Sequence, residues 1–288
     1  MNTKLPTVAV TGVTGVVGGL VARGLAGAGI GQRLLARTPE KAPVLPGAMA
    51  LPCDYADQGL CARSLRGVQT LFMVSARETA DRLDEHGSFV DAAVAAGVRH
   101  IVYTSFMGAA PDATFTLARD HYATEAFIKA SGMAYTILRD CFYTDFVGSL
   151  VGEDGVIRGP AGDGRVAMVT RADVARVAVR VLREPNRHIN ETFTLTGPQS
   201  LTLTEVAGIV SAASGREVKF HNESVPEAYE SRTRWPAPQW QYDAWVSTYT
   251  AIAAGELAAL SGDVQRITGH RPESLAQFLA ATVAEARA

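Results

Sequence analysis

The chain has 288 residues, 47% of them hydrophobic and 19% charged, with a formal net charge of −2. That is apolar material for a sizeable core, and the charge balance offers no basic surface for nucleic acid. No run of about 18 apolar residues exists, so no membrane span is expected, and Met1–Pro6 leads into a strand rather than a signal peptide, which points to a cytoplasmic protein.

The first element carries the most information. Thr7–Thr11 is a short β-branched strand that runs into Gly12, Gly15 and Gly18 and then into the apolar helix pattern Leu20, Val21, Leu25. One glycine permits a tight turn, a second lets backbone approach a pyrophosphate, and a third lets helix and strand pack closely. Helix N-terminal N–H groups then hold the anion. The layout predicts a nucleotide cradle made of Gly12, Thr14, Gly15, Val16, Val17 and Gly18.

Further strands are expected at Arg33–Ala36, Ala48–Leu51, Thr70–Val74, His100–Thr104 and Tyr135–Leu138, with helices at about 15–27, 57–66, 81–96 and 117–131. Short apolar runs alternating with amphipathic segments predict a doubly wound parallel sheet, the Rossmann arrangement, with helices on both faces. Ligands in such folds bind at the carboxyl ends of the strands. After the second strand come Arg37 and Lys41, where an NAD-preferring protein usually carries an acid; cations there suit a 2′-phosphate, hence NADPH over NADH, with Arg37 the main contact. After the third, Asp54 either lies near the adenine or caps the helix that starts near Asp57. Val74, Ser75 and Ala76 follow the fourth strand, where backbone must pass close to the ribose. Thr104 and Ser105 end the fifth.

Beyond residue 140 the alternation loosens into short strands near 155–158, 166–169, 192–195 and 218–221, with helices near 172–183, 203–214 and 272–286. This predicts a cofactor domain at 1–150, joined by sheet contributions from about 190–196, and a smaller C-terminal α/β substrate region at 151–288 that does not fold independently. Residues 224–255 hold all three tryptophans, Trp235, Trp240 and Trp245, which suggests a lid over an acceptor or a subunit contact. Cys53, Cys61 and Cys141 show no C-x-x-C spacing, so neither a disulfide framework nor a zinc site is supported. No metal is expected, for H-E-x-x-H is absent, and G-x-S-x-G is absent too.

The G-x-x-G-x-x-G spacing resembles the short-chain dehydrogenase/reductase superfamily, yet the chain departs from it. That superfamily places Y-x-x-x-K on the helix after the fifth strand, and here Tyr122 is followed four residues later by Ala126. Three other stretches, Leu117–Glu125, Ser131–Arg139 and Phe142–Phe146, resemble the NmrA-like atypical members, and especially the group of type 2 NAD(P)H:quinone oxidoreductases and triphenylmethane reductases. The likeness continues through Ala161–Arg165, Val169–Ala175, Leu195–Pro198 and Leu203–Ala207, and so covers nearly the whole chain.

The resemblance implies an NADPH-binding reductase of quinones, dyes or other conjugated small-molecule acceptors, with Asp140 and Phe142 passing beside the nicotinamide. An electrophilic acceptor needs little beyond proximity and orientation, so the missing Tyr/Lys couple is tolerable. If a proton donor is used, His121 is the first candidate, because imidazole supplies a proton near neutral pH. Tyr122 and Tyr143 are alternatives for lining the pocket or bonding an acceptor oxygen, and Ser105 stands where the superfamily keeps its substrate-orienting serine. The other readings are a non-catalytic NADP(H) sensor and a biosynthetic reductase with one dedicated substrate. A homodimer is one expectation, although the sequence does not fix the oligomeric state.

Overall fold

In a computed structural model that describes residues 5–287, the opening run forms β1 (Val8–Val10), and the glycines lead into α1 (Val16–Gly27). There follow β2 (Gln32–Ala36), β3 (Ala48–Pro52), α2 (Gln58–Leu65), β4 (Thr70–Met73), α3 (Arg82–Ala95), β5 (His100–Phe106), α4 (Thr116–Ala130) and β6 (Ala134–Asp140). The remainder comprises α5 (Val147–Leu150), β7 (Val156–Gly159), β8 (Arg165–Val166), α6 (Arg171–Arg183), β9 (Glu191–Leu195), β10 (Leu201–Thr202) and α7 (Leu203–Ser214). It closes with β11 (Lys219–Asn222), α8 (Val225–Arg232), α9 (Gln239–Ala253), α10 (Asp263–Thr268) and α11 (Leu275–Arg287).

Seven strands form one sheet in the order β3-β2-β1-β4-β5-β6-β9. The pairs β1–β2, β1–β4, β2–β3 and β4–β5 run parallel, with Val10 opposite Leu34 on one side and Phe72 on the other. Strand order reverses between β1 and β4, the switch point at whose carboxyl end ligands of such sheets bind. This is the expected Rossmann arrangement.

Every residue of β2, β4 and β5 is buried, as sheets covered on both faces require. Leu65, Phe89 and Ile128 of α2, α3 and α4 pack on Leu71, Ile101 and Tyr103 of the sheet. Helix α1 lies instead against α6: a Cβ at Gly24 would come within 2.7 Å of Val179. Even Arg33 is buried, because its guanidinium donates to the carbonyls of Pro6, Ser64 and Arg66.

The chain divides into two compact units that interleave along the sequence. One runs up to Ser105 and adds Asp120–Arg139 and Ala172–Phe193; the other comprises Phe106–Arg119, Asp140–Arg171 and everything from Thr194 on. The strand expected at 166–169 is only β8, and the tryptophan-rich stretch is helical as α8 and α9. Helix α8 begins with a capping box, Ser224 and Glu227 each bonding the other's backbone N–H. Trp235 and Trp245 meet edge to face at 6.4 Å. Among the described residues no helix is long and apolar enough to cross a membrane.

Candidate active site

The glycine turn is built as the sequence requires. Gly12 has φ +62°, and a Cβ on it would lie 3.0 Å from that of Val74. A Cβ at Gly18 would lie 2.4 Å from the carbonyl oxygens of both Thr11 and Gly12, so only glycine lets α1 start this close to β1. Helices α2, α7 and α8 are capped by Asp57, Thr202 and Ser224. Helix α1 has Gly15 at its N-cap, no side-chain cap and no acid in its first turn. Its leading N–H groups are thus left for an anion.

An open recess of about 400 Å³ adjoins that helix start, lined by Val13, Thr14, Gly15, Val16, Arg23, Lys41 and Pro43. Lys41 is among the lining residues, whereas exposed Arg37 is not. Val17 and Gly18 are buried behind the turn. An uncapped helix start, glycine-lined backbone and cations fit the phosphates of a dinucleotide.

The carboxyl ends of β1, β4 and β5 are laced together by side chains of one unit. The Thr11 hydroxyl donates to Phe72 O and accepts from the Val74 N–H at 2.9 Å. Tyr55, next to Asp54, has its hydroxyl 2.7 Å from Thr11 Oγ1 and 2.8 Å from Val74 O, and its ring stacks on Phe89. The Ser75 N–H donates to Thr104 Oγ1, and the Ala76 N–H donates to His86 Nε2. Val74, Ser75, Ala76 and Thr104 are therefore brought together with Gly12. Asp54 is not the helix cap: it accepts from the Ala56 N–H, while Asp57 accepts from Leu60.

Behind Ala76 lies a buried polar cluster that the sequence reading missed. Arg82 donates through Nε to Ala76 O, and its Nη2 lies 3.0 Å from His121 Nε2. Arginine has only donors, so His121 Nε2 accepts, and neutral His121 carries its proton on Nδ1, 2.9 Å from the Tyr103 hydroxyl. Burial, then the charges of Arg82 and His86, hold the His121 pKa well below its usual value. His86 is likewise pushed down to about 3, by burial first and Arg82 second. The available signal was polar Arg82 and His86 in the helical stripe that also buries Phe89, Val90 and Ala93.

Ser105 is equally engaged. Its hydroxyl donates to Glu125 Oε1 at 2.7 Å, and Arg139 binds both oxygens of that carboxylate at 2.7 Å, with Lys129 at 3.1 Å. Burial alone would raise the Glu125 pKa, but the bonds from Arg139 and Ser105 hold it below the usual range. Tyr122 is exposed on α4.

The other unit holds Asp140, Phe142 and Tyr143. The Tyr143 hydroxyl donates to Asp140 Oδ2 at 2.6 Å, and the Arg171 guanidinium stands over the Tyr143 and Phe146 rings. Burial pushes the Asp140 carboxyl up to about 8, against the Tyr143 bond and the Arg171 charge. Phe142 and Phe146 have ring centroids 6.0 Å apart. No cluster of metal-ligating side chains exists among the described residues.

A family described as NAD(P)H-binding matches residues 12–185, from the first glycine of the turn to just past α6. The chain belongs to that family. An NAD(P)H azoreductase of Xenophilus azovorans is 30% identical over 96% of this chain and 97% of its own length. The NADPH-dependent quinone oxidoreductase of Escherichia coli, solved with NADPH, superposes with a TM-score of 0.88 at 30% identity, over 96% of this chain and 99% of that one. Citrobacter triphenylmethane reductase, solved with NADP(H), gives 0.84 at 32% identity, over 96% and 99%. The chain is an NAD(P)H-dependent oxidoreductase, in the atypical short-chain group that its sequence resembles.

Proposed function

We propose that the protein reduces a quinone-like or otherwise conjugated small-molecule acceptor, with NADPH as the preferred donor. The observation that carries this reading is that, of the four side chains expected to supply a proton or orient an acceptor, all but exposed Tyr122 are already spent. His121 is buried and neutral with both nitrogens bonded, Ser105 donates to Glu125, and the Tyr143 hydroxyl donates to Asp140. An acceptor that needed an acid in place to become reactive would be poorly served. A quinone, an azo bond or a cationic dye is already electrophilic, so orientation supplies most of the rate.

Bound at the glycine turn, the nicotinamide cofactor supplies the hydride. Gly12, Thr14, Gly15 and Val16 present backbone to its phosphates, with Val17 and Gly18 setting the helix start. Lys41 and Arg37 offer positive charge to a 2′-phosphate, and Asp54 remains a candidate for the adenine side. Val74, Ser75 and Ala76 offer backbone for the ribose, held by Thr104, His86 and Arg82. Asp140, Phe142 and Tyr143 are candidates for the acceptor side, with the Tyr143 hydroxyl already donating to Asp140. Tyr122 is free for an acceptor oxygen. The azoreductase, quinone oxidoreductase and triphenylmethane reductase relatives support acceptors of this type.

The test is consumption of NADPH, with NADH as control, against benzoquinones, naphthoquinones, azo dyes and triphenylmethane dyes. Turnover with a conjugated acceptor is expected. Tight NADPH binding with no turnover across the panel would refute this reading in favour of a sensor or a single dedicated substrate.

A further inference from the structure

Arg23 lies two turns into α1, five residues past the last glycine of the turn, and was assigned nothing by the sequence pattern. It lines the recess together with Lys41, and no acidic residue does. Neither cation makes a side-chain hydrogen bond or ion pair with any described residue, whereas Arg82, Arg139, Arg158, Arg176 and Arg232 each pair with a carboxylate. A Cβ on Gly19 would stand 3.4 Å from Arg23 Nη2 and 3.1 Å from Val13 O. Gly19 therefore leaves open the strip along which the guanidinium lies back toward the turn. The result is a concave surface with two unmatched positive charges beside an uncapped helix start.

We infer that Arg23, with Lys41, holds the 2′-phosphate that distinguishes NADPH from NADH, so that cofactor choice is written on α1 as well as after β2. This rests on the NADPH preference proposed above and names its main side chain differently, since Arg37 does not line the recess. The chemistry suits the assignment. A guanidinium offers two parallel donors to phosphate oxygens, an ammonium adds a point charge, and the pyrophosphate common to both cofactors is left to backbone N–H groups. Exposed cations also make the contact sensitive to salt.

Dissociation constants for NADPH, NADH, 2′-AMP and 5′-AMP, measured by calorimetry on the wild type, Arg23→Ala, Arg23→Lys and Arg37→Ala, test it. Arg23→Ala is expected to weaken NADPH and 2′-AMP by about 10- to 100-fold, the scale of a charge-assisted contact, and to leave NADH and 5′-AMP within about two-fold. Arg23→Lys should recover part of the loss, and Arg37→Ala should lose less. Thermal unfolding should not change, because Arg23 is exposed and bonded to no described residue. Equal losses for both cofactors would move Arg23 to the pyrophosphate and overturn the inference. Unchanged NADPH affinity in a wild type that discriminates would overturn it while leaving the NADPH preference standing. A wild type that binds both cofactors equally would overturn both.

Discussion

Replacing Gly18 by alanine places a methyl carbon 2.4 Å from the carbonyl oxygens of Thr11 and Gly12 and 2.5 Å from the Gly12 carbonyl carbon. All three are backbone atoms, so no side chain can swing away, and α1 must retreat by about 1 Å from the end of β1. Overpacking of this kind costs about 1–3 kcal/mol, and the unforgiving contact puts Gly18 at the upper end. Alanine returns about 1 kcal/mol through helix propensity, leaving a net loss of about 2 kcal/mol. The displaced helix start should also weaken NADPH binding. Two glycines bracket the argument. Gly15→Ala meets only Gly12 O, at 3.3 Å, so it should cost little stability yet weaken NADPH, because its methyl enters the cradle. Gly208, inside α7, has open space for 4 Å around the point a methyl carbon would occupy, and Gly208→Ala should stabilise by about 0.5–1 kcal/mol. Urea denaturation and NADPH titration of the three variants read out the set. A Gly18→Ala protein with wild-type stability and affinity, or one no worse than Gly208→Ala, would refute the close-approach account.

Removing the Glu125 carboxylate by Glu125→Ala strands Arg139 and the Ser105 hydroxyl in a buried site, and should cost about 3–5 kcal/mol in urea denaturation; a loss below about 1 kcal/mol would show the cluster to be dispensable. His86, held at about 3, His100, held at about 4, and His121, held well below 6.5, are neutral in the fold. Each takes up a proton on unfolding below its ordinary pKa, so each costs about 1.4 kcal/mol of stability per pH unit as pH falls below about 6.5. Asp140 acts with the opposite sign: held at about 8, it keeps a proton that the unfolded chain has lost, so its contribution weakens the fold as pH rises from about 4 to about 8. Stability measured from about pH 5 to about pH 7 should therefore rise, and Asp140→Asn should steepen that rise and stabilise the protein near pH 8; a flat profile would contradict the burial of the histidines. With a quinone acceptor, kcat should show no ionisation near the usual histidine pKa of about 6.5. An acid limb there, lost in His121→Gln, would return His121 to the role of proton donor.

Much of the glycine turn was legible because local rules suffice to specify it. A β-branched strand followed by glycines at 12, 15 and 18 has few other uses, and the turn is made by residues adjacent in sequence. The strand and helix alternation through residue 140 also matched, since apolar periodicity is a local property that burial on both faces enforces. Lys41, singled out by its distance along the chain after β2, lines the recess beside that turn. The Ser224–Glu227 capping box was equally local, and α8 could have been read from it.

What the sequence could not supply is which groups satisfy one another across long separations. His121 reads as a titratable imidazole on a helix; only folding brings Arg82, 39 residues away, to its Nε2 and fixes it as an acceptor. Ser105 reads as a free hydroxyl until Glu125 and Arg139 converge on it, and Asp54 reads as a cap until Asp57 takes that place. Arg23 carries no motif at all. Its meaning depends on the recess that α1 and the segment after β2 form together. Composition and spacing determined the sheet, the glycine turn and the cofactor class, because those follow from backbone conformation and burial along contiguous segments. Tertiary structure decided which polar side chains are spent and which remain available, because in a low-dielectric interior each buried donor must find an acceptor wherever the chain brings one.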